Sequence, residues 1–266
     1  MKKFKLAVSL FSTCGGKRKI NQDNYYINGR ILDSRSDRDD FYSLTCRDGI
    51  FAVADGMGGE RDGEFASLAA VRALVDMKQR VPSFEQICRC INSANDTICN
   101  RSKSIGARTG STIVTAVIKG DTLTVCNVGD SKCLLYSGGR ITQLSKDHTV
   151  TAQLVEAGIM TPEQAAKDIR RHQLFQHLGI PQDEMKLSVF RHEDVVLHEG
   201  NIIILCSDGL TDGLSFDDIV SAINVNKDKK KLSKELALLA IENGSTDNIT
   251  VISIAVTDKK GLFGIF

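Results

Sequence analysis

The chain is expected to fold as an α+β protein: a central β-sandwich of two antiparallel sheets flanked by helix pairs, four layers in all. Three observations predict this. Runs rich in Ile, Val and Thr, bounded by Gly, Asp or Asn, recur along the 266 residues as strands do. Helical periodicity is gathered into two clusters instead of alternating with the strands. Lys119-Gly120-Asp121, lying between two strand-like runs, reads as a hairpin and favours antiparallel pairing.

Taken in order, strands are predicted over 5–11, 50–54, 112–118, 122–128, 132–136, 201–206 and 248–256. A helix is predicted over 60–78, with Phe65, Leu68, Ala69 and Leu74 at helical spacing. The next segment carries a 3.6-residue stripe of Phe84, Ile87, Ile91, Ala94 and Ile98. Ser215-Phe216-Asp217-Asp218 looks like a helix cap before Ile219, and a last helix over 232–241 has Gly244 shortly beyond its end. With three prolines and no linker rich in Pro, Gly or Ser, residues 1–266 read as a single domain. Two excursions interrupt it: a polar, charged stretch over 29–49 and a partly helical one over 147–184.

Composition narrows the function. A hydrophobic fraction of 42% suits a folded protein with a sizeable core, and a formal net charge of +1 gives no support to nucleic-acid or membrane-surface binding. The densest basic run, 227–231, precedes a predicted helix and reads as a solvated loop. The eight cysteines include no CxxC pair, which argues against structural zinc. Cys88 and Cys90 fall on a helical pattern, and Cys126, Cys133 and Cys206 lie inside strand-like runs as small apolar residues. A reducing, cytoplasmic setting fits this usage. The opening MKKFKLAVSLFSTC has the outline of a signal peptide, but its apolar stretch from Leu6 to Phe11 is too short, so it reads as a first strand. The C-terminal GLFGIF is a small apolar tail suited to packing on the body or meeting a partner.

The chemistry lies in aspartates at the ends of apolar runs: Asp23 in RKINQDN, Asp55 in IFAVADGMGG, Asp130 in VCNVGDSK, Asp208 in IIILCSDGL and Asp247 in GSTDNITV. Asp-Gly is a common turn dipeptide, and Asp48-Gly49, Asp62-Gly63 and Asp212-Gly213 need no further explanation. Asp55-Gly56 and Asp208-Gly209 differ in following a continuous apolar run, so their carboxylates emerge at the end of a buried strand, where ligands converge rigidly. The glycines after Asp55 let backbone approach an ion or ligand, and the Gly56 carbonyl is itself a candidate ligand. A phosphate-cradling loop is the competing idea, but neither GxxxxGK[ST] nor a GxGxxG after a strand occurs. Carboxylates without His or Cys partners suit hard dications such as Mg²⁺ or Mn²⁺. Beside them, Arg18 in GGKRK is the candidate anchor for a phosphate.

RKINQDN, FAVADGMGG, GSTIVTAVI, VCNVGDSKCLLY, LSKDHT, LCSDGLTDGLS and STDNITVI, in this order and from about Cys14 to Val256, resemble the metal-dependent protein phosphatases of the type 2C (PPM) family, in particular its compact bacterial members. The resemblance implies the same sandwich with outer helix pairs. It makes Asp55 the carboxylate bridging two Mg²⁺ or Mn²⁺ ions, with the Gly56 carbonyl beside it. It makes Asp208 and Asp247 ligands of one ion, and brings Asp23 to the centre directly or through water. Asp130 would help hold a third, weaker ion, Arg18 would grip phosphate, and Asn248 would shape the turn after the last ligand. It casts 147–184 as a mobile flap that influences substrate choice. Two positions depart from the family pattern: Gln22 stands where many members have glutamate, and Met57 where animal members carry a histidine thought to act as general acid. His148, His172, His177, His192 and His198 read as structural or exposed.

The implied reaction explains the need for metal. Phosphate monoester hydrolysis is accelerated by up to about 10²¹-fold in enzymes, roughly 29 kcal/mol of barrier. A charge-assisted hydrogen bond supplies about 1.5–3 kcal/mol, so Arg18 and a few amides fall short, whereas two close dications bind phosphate and ionise water. The absence of a GxSxG elbow and of an evident Cys/His pair agrees with a reaction that needs no protein nucleophile. The expected substrates are phosphoserine and phosphothreonine in proteins, opposite a cognate Ser/Thr kinase, with a monomeric enzyme and no nucleic-acid or membrane partner. Two other readings compete: a phosphatase-like scaffold that has lost catalysis, and a nucleotide-binding transferase, which lacks a phosphate loop.

Overall fold

The structure is a computed structural model, and it describes residues 4–32, 38–57, 62–75, 77 and 81–257. The GLFGIF tail and Gly58 and Gly59 of the glycine run lie outside the described residues.

In chain order the strands are β1 (Lys5–Thr13), β2 (Asp23–Ile27), β3 (Arg30–Ile31), β4 (Asp40–Cys46), β5 (Gly49–Met57), β6 (Gly110–Ser111), β7 (Ile113–Lys119), β8 (Thr122–Val128), β9 (Lys132–Ser137), β10 (Arg140–Gln143), β11 (Phe190–Arg191), β12 (Val195–Val196), β13 (Ile202–Cys206) and β14 (Ile249–Thr257). The helices are α1 (Gly63–Val75), α2 (Phe84–Ile105), α3 (Val150–Glu156), α4 (Pro162–Ala165), α5 (Asp208–Gly213), α6 (Phe216–Val225) and α7 (Leu232–Glu242). One sheet runs β10-β9-β13-β14-β1-β4. The other runs β11-β8-β7-β5-β2-β3, with β12 added against β8 and β6 against β5.

All the strand pairs are antiparallel. Between the sheets lies one apolar core that includes Leu6, Val8, Leu10, Phe51, Val53, Ile252 and Ile254. A second core packs α1 and α2 on the β5 sheet, and a third packs α5, α6 and α7 on the β14 sheet. This is the four-layer α+β arrangement read from the sequence.

β1 shows why its sequence is almost continuously apolar. Leu6, Val8 and Leu10 enter the inter-sheet core, whereas Phe11 joins the outer core under the late helices. A strand covered on both faces loses the alternation of a half-exposed one. Ser9 is the polar residue between Ala7 and Phe11 on the outer face, and its hydroxyl bonds that of Ser233 on α7. The LAVSLF stretch is therefore a central strand, as expected.

The predicted hairpin forms with Lys119 paired to Thr122. Ser215 caps α6 in a reciprocal box with Asp218, and Gly244 follows α7 with φ +95°. Ile87, Ile91, Ala94 and Ile98 are buried along α2. The loop over 227–231 is used: Lys229 Nζ donates to the Ile223 and Asn226 carbonyls at the end of α6.

Three expectations need correction. The inward face of α1 is Ala66, Ala70, Val71 and Leu74, with Phe65, Leu68 and Ala69 only partly buried, because small side chains let this helix lie close on β5. The 29–49 stretch is not wholly an excursion: Asp40–Cys46 alternates in burial as an edge strand on β1, and Asp40 accepts from Tyr25 Oη at 2.5 Å and from Arg30 at 3.2 Å. Asp62-Gly63 and Asp212-Gly213 are more than turns. Asp62 pairs with Arg101 at 2.8 Å, and a Cβ on Gly213 would stand 2.4 Å from the Ala240 carbonyl oxygen of α7.

Leu10, wholly buried between the sheets, gives a direct test of the sandwich core. Leu10→Ala is expected to cost about 2–5 kcal/mol, read as a lowered urea midpoint with an unchanged m value.

Candidate metal and phosphate site

The strongest electrostatic feature follows from strand register. Asp23 and Asp55 are direct partners across β2 and β5. Like charges facing each other across a ladder destabilise a sheet, and here Asp23 is buried and Asp55 half-buried. Asp208 at the start of α5, just beyond β13, and Asp247, just before β14, come from the other sheet, so four carboxylates meet where the strand ends of both layers converge. Asp130 joins from the turn after β8.

Arg18, Gln22, Asp55, Gly56, Met57, Thr112, Asp130, His172, Asp208 and Asp247 line one cavity of about 220 Å³. Asp23 lies behind it, 2% exposed. A larger hollow of about 690 Å³, beside Tyr26, Arg47 and Asp48 at the opposite end of β5, holds none of these aspartates.

Each carboxylate is held from behind. Ser207 Oγ donates to Asp23 Oδ2 at 2.7 Å, joining the two sheets, and Thr250 N donates to Ser207 Oγ at 3.0 Å. Asp23 Oδ1 is buried with no hydrogen-bond partner. The Asp55 backbone is fixed by Thr112, whose Oγ1 accepts from Asp55 N at 3.0 Å and bonds Ser131 Oγ at 2.6 Å. The Asp130 turn is set by His148, whose Nδ1 accepts from Gly129 N at 3.0 Å. Burial lowers the pKa of this imidazole, as suits an acceptor.

Asn248 ties the arginine loop to β14: its Oδ1 accepts from Gln22 N at 2.9 Å while its Nδ2 donates to the Ile20 and Cys14 carbonyls. Gly56 sits too close to its neighbours for any side chain, since a Cβ there would stand 2.1 Å from the Gly63 carbonyl oxygen.

The charges cannot all ionise together. Burial first, and then the neighbouring Asp23, Asp208, Asp130 and Asp247, hold the Asp55 carboxyl well above the ordinary range. Burial also pushes Asp23 up to about 7 against the hydrogen bond from Ser207, and burial with Asp208 nearby pushes Asp130 up to about 7. For Asp208, burial raises the pKa, but His172, a hydrogen bond from Asp55 and the Lys132 charge together outweigh it, and the group lies below its usual value.

Arg18 stands at the mouth, Nη2 2.8 Å from Asp247 Oδ2. Lys132, half-buried and donating to the Asp130 carbonyl, is held charged by Asp147 at 2.6 Å in spite of desolvation.

Of the sequence-predicted residues, Arg18, Asp55, Gly56, Asp130, Asp208 and Asp247 are thus brought to one cavity with Asp23 behind it. Asn248 shapes the turn as expected. Among the histidines, His148 is structural and His172 is exposed, as expected, but His172 also lines the cavity, Nδ1 3.6 Å from Asp208 Oδ2 and Nε2 3.8 Å from Asp212 Oδ1. Nothing local in KDIRRHQ marks it, because only the path of 147–184 back to the site brings it there. Ser207 and Thr112, which position Asp23 and Asp55, were also not singled out. A serine directly before Asp208 and a threonine in GSTIV were the available signals.

A two-sheet sandwich with outer helix pairs and a carboxylate cluster at its strand ends defines an α-β-β-α protein with a candidate divalent-cation site. The family model described as protein phosphatase 2C matches residues 32–239, and the chain belongs to that family. It is 30% identical to the putative protein phosphatase 2C-type of Streptococcus pyogenes, over 92% of this chain and 96% of that one. It is 28% identical to the serine/threonine protein phosphatase PstP of Mycobacterium tuberculosis, over 91% of this chain but 43% of that protein, so it spans less than half the length of PstP. The crystal structure of the M. tuberculosis phosphatase PstP/Ppp superposes with a TM-score of 0.78 at 25% identity, covering 95% and 99% of the two chains. A structure of the PstP catalytic domain in complex with 2 manganese ions gives 0.75 at 26% identity, covering 96% and 100%.

The pKa directions set a stability test for the cation-free protein. Asp23 and Asp130 titrate near 7 when folded against an ordinary 3.8, and Asp55 is also raised. The native state then binds more protons than the unfolded chain, so stability present below about pH 4 is lost as pH rises through about 7. Asp208 acts in the opposite sense only below its ordinary 3.8. In EDTA the melting temperature is expected to fall from about pH 5 to pH 8. Added Mn²⁺ should raise it more at the higher pH, because protons and cations compete for the same oxygens. Melts in EDTA that grow more stable over this range would contradict the assignment.

Proposed function

We propose that this protein is a Mg²⁺- or Mn²⁺-dependent phosphatase acting on phosphoserine and phosphothreonine in proteins. The observation that carries the reading is the opposed pair Asp23 and Asp55, with a buried Asp23 oxygen left without a partner. A buried, unpaired carboxylate oxygen is costly unless a cation or donor meets it. The surrounding donors are aspartates and a backbone carbonyl, the set that hard dications take.

In this reading Asp55 and the Gly56 carbonyl, with Asp208 and Asp247, hold two ions, Asp23 supports them, and Asp130 contributes to a third. The ions would supply charge neutralisation of the phosphoryl group and ionisation of a water. Asp23 keeps its orientation through Ser207, and Asp55 through Thr112. Arg18 binds the phosphate oxygens of the substrate. Its ion pair with Asp247 is exposed, with side chains 55% and 37% accessible, and such pairs contribute only about 0–1 kcal/mol. The guanidinium is therefore free to exchange one anion for another.

We read 147–184 as a flap beside the site, and 1–266 as one phosphatase domain. A cognate Ser/Thr kinase, a monomeric state and a cytoplasmic setting belong to the same proposal; none of the eight cysteines is in a disulfide, which suits a reducing compartment. No helix among the described residues is long and apolar enough to cross a membrane. Against the scaffold alternative stands the convergence of Asp55, Asp130, Asp208 and Asp247 on one cavity.

The purified protein is expected to hydrolyse an aryl phosphate and a phosphothreonine peptide with Mn²⁺ and to stop with EDTA. Asp208→Ala should stay folded by circular dichroism while losing more than the roughly 10²–10³-fold that one transition-state charge donor supplies. A wild type inert toward both substrates with either metal would favour the scaffold reading. Arg18→Ala should lower kcat/KM by roughly 10–150-fold, the equivalent of one charge-assisted hydrogen-bonded contact. Unchanged steady-state kinetics would remove Arg18 from phosphate binding.

A further inference from the structure

His172 is the one imidazole in the cavity, and it is not loosely placed. On its C-terminal side Gln173 and Phe175 are stitched to the start of α3: Val150 N donates to the Gln173 carbonyl at 2.8 Å, and Phe175 N to the His148 carbonyl at 3.0 Å. On its N-terminal side Asp168 and Arg170 close a turn through their own side chains, with Gln173 N bonded to the Arg170 carbonyl at 2.8 Å. The base of the segment is fixed by Lys132 and Asp147. The ring is thus presented to Asp208 by a braced ladder.

One ligand atom each from Asp130, His172 and Asp208 lies within 4.8 Å of the others. Two ligands on one divalent ion, each at roughly 2.0–2.2 Å, stand about 3–4.4 Å apart, so small side-chain rotations bring the three together. The His172–Asp208 separation of 3.6 Å is longer than a hydrogen bond and falls inside that range. Asp130 supplies an independent indication: it is 7% exposed and lines the cavity, and the one donor that meets its carboxylate among the described residues is its own backbone amide. Lys132 Nζ, the nearest cation, donates to the Asp130 backbone carbonyl and to Asp147 instead.

Resting on the phosphatase reading above, we propose that His172 supplies a nitrogen ligand to the third cation position, completed by Asp130 and Asp208. Carboxylates alone leave Mg²⁺ and Mn²⁺ nearly equivalent, whereas imidazole suits first-row transition ions. This position therefore selects Mn²⁺ over Mg²⁺, and its ion ties segment 147–184 to the catalytic floor.

The test is pulsed EPR on the full chain with one equivalent of Mn²⁺ in excess Mg²⁺, read for nitrogen coupling. The wild type is expected to show ¹⁴N modulation that changes to the ¹⁵N pattern when histidine is ¹⁵N-labelled, a result that needs no variant. His172→Ala should lose the modulation, and both His172→Ala and Asp130→Ala should weaken this Mn²⁺ by at least roughly tenfold in equilibrium dialysis. Modulation that persists in His172→Ala would overturn the assignment. Two tightly bound Mn²⁺ ions in the wild type without nitrogen modulation would overturn it and leave the two-ion reading standing, whereas a wild type that binds no Mn²⁺ would overturn both.

Discussion

The repulsion between Asp23 and Asp55 organises this molecule. Their strands are neighbours in the middle of a sheet, and the register that buries Phe51 and Val53 in the inter-sheet core also sets the two carboxylates face to face. No local rearrangement separates them, because a one-residue slip would turn every inward side chain outward. The hydrophobic pattern thus enforces an electrostatic conflict at the sandwich end, and Asp208 and Asp247 from the other sheet add to it. The surrounding hydroxyls of Ser207, Thr112 and Ser131 fix where the charges point without neutralising them.

The two sheets contribute differently. β2 and β5 carry their aspartates within the ladder, where backbone bonds limit movement. Asp208 and Asp247 sit just outside β13 and β14, in a short helix and a turn, and are more accessible. The inner pair therefore forms a rigid floor and the outer pair an adjustable rim, with Arg18 attached to that rim through Asp247. Asn248 links rim and arginine loop into one unit by bonding backbone at Cys14, Ile20 and Gln22.

Much of this was legible in the sequence. The long apolar runs became the central strands because strands covered on both faces need uninterrupted apolar residues, and the α2 stripe survived because a 22-residue amphipathic helix leaves little ambiguity. Asp55, Asp130, Asp208 and Asp247 were visible because each follows or precedes such a run, whereas Asp23 rested on the RKINQDN motif. Short polar elements were not legible. β2 reads DNYYI and β4 reads DFYSLTC, sequences whose strand character depends on pairing with β5 and β1. The α1 face was misjudged because its contact uses alanines, which carry little periodic signal. The place of His172 beside Asp208 was not legible, because it depends on a chain path from α4 back to the cavity that no local pattern encodes.

The first and last strands pair with one another from Lys5 opposite Thr257 to Thr13 opposite Ile249. The carboxylates lie at the Thr13 and Ile249 end. Over that length a strand extends about 27 Å, so Lys5 and Thr257 lie side by side at the far pole of the sandwich. Lys5 and Thr257 are therefore turned away from the carboxylates. A tether to another module would hold this one by its back and leave the mouth of the cavity facing outward.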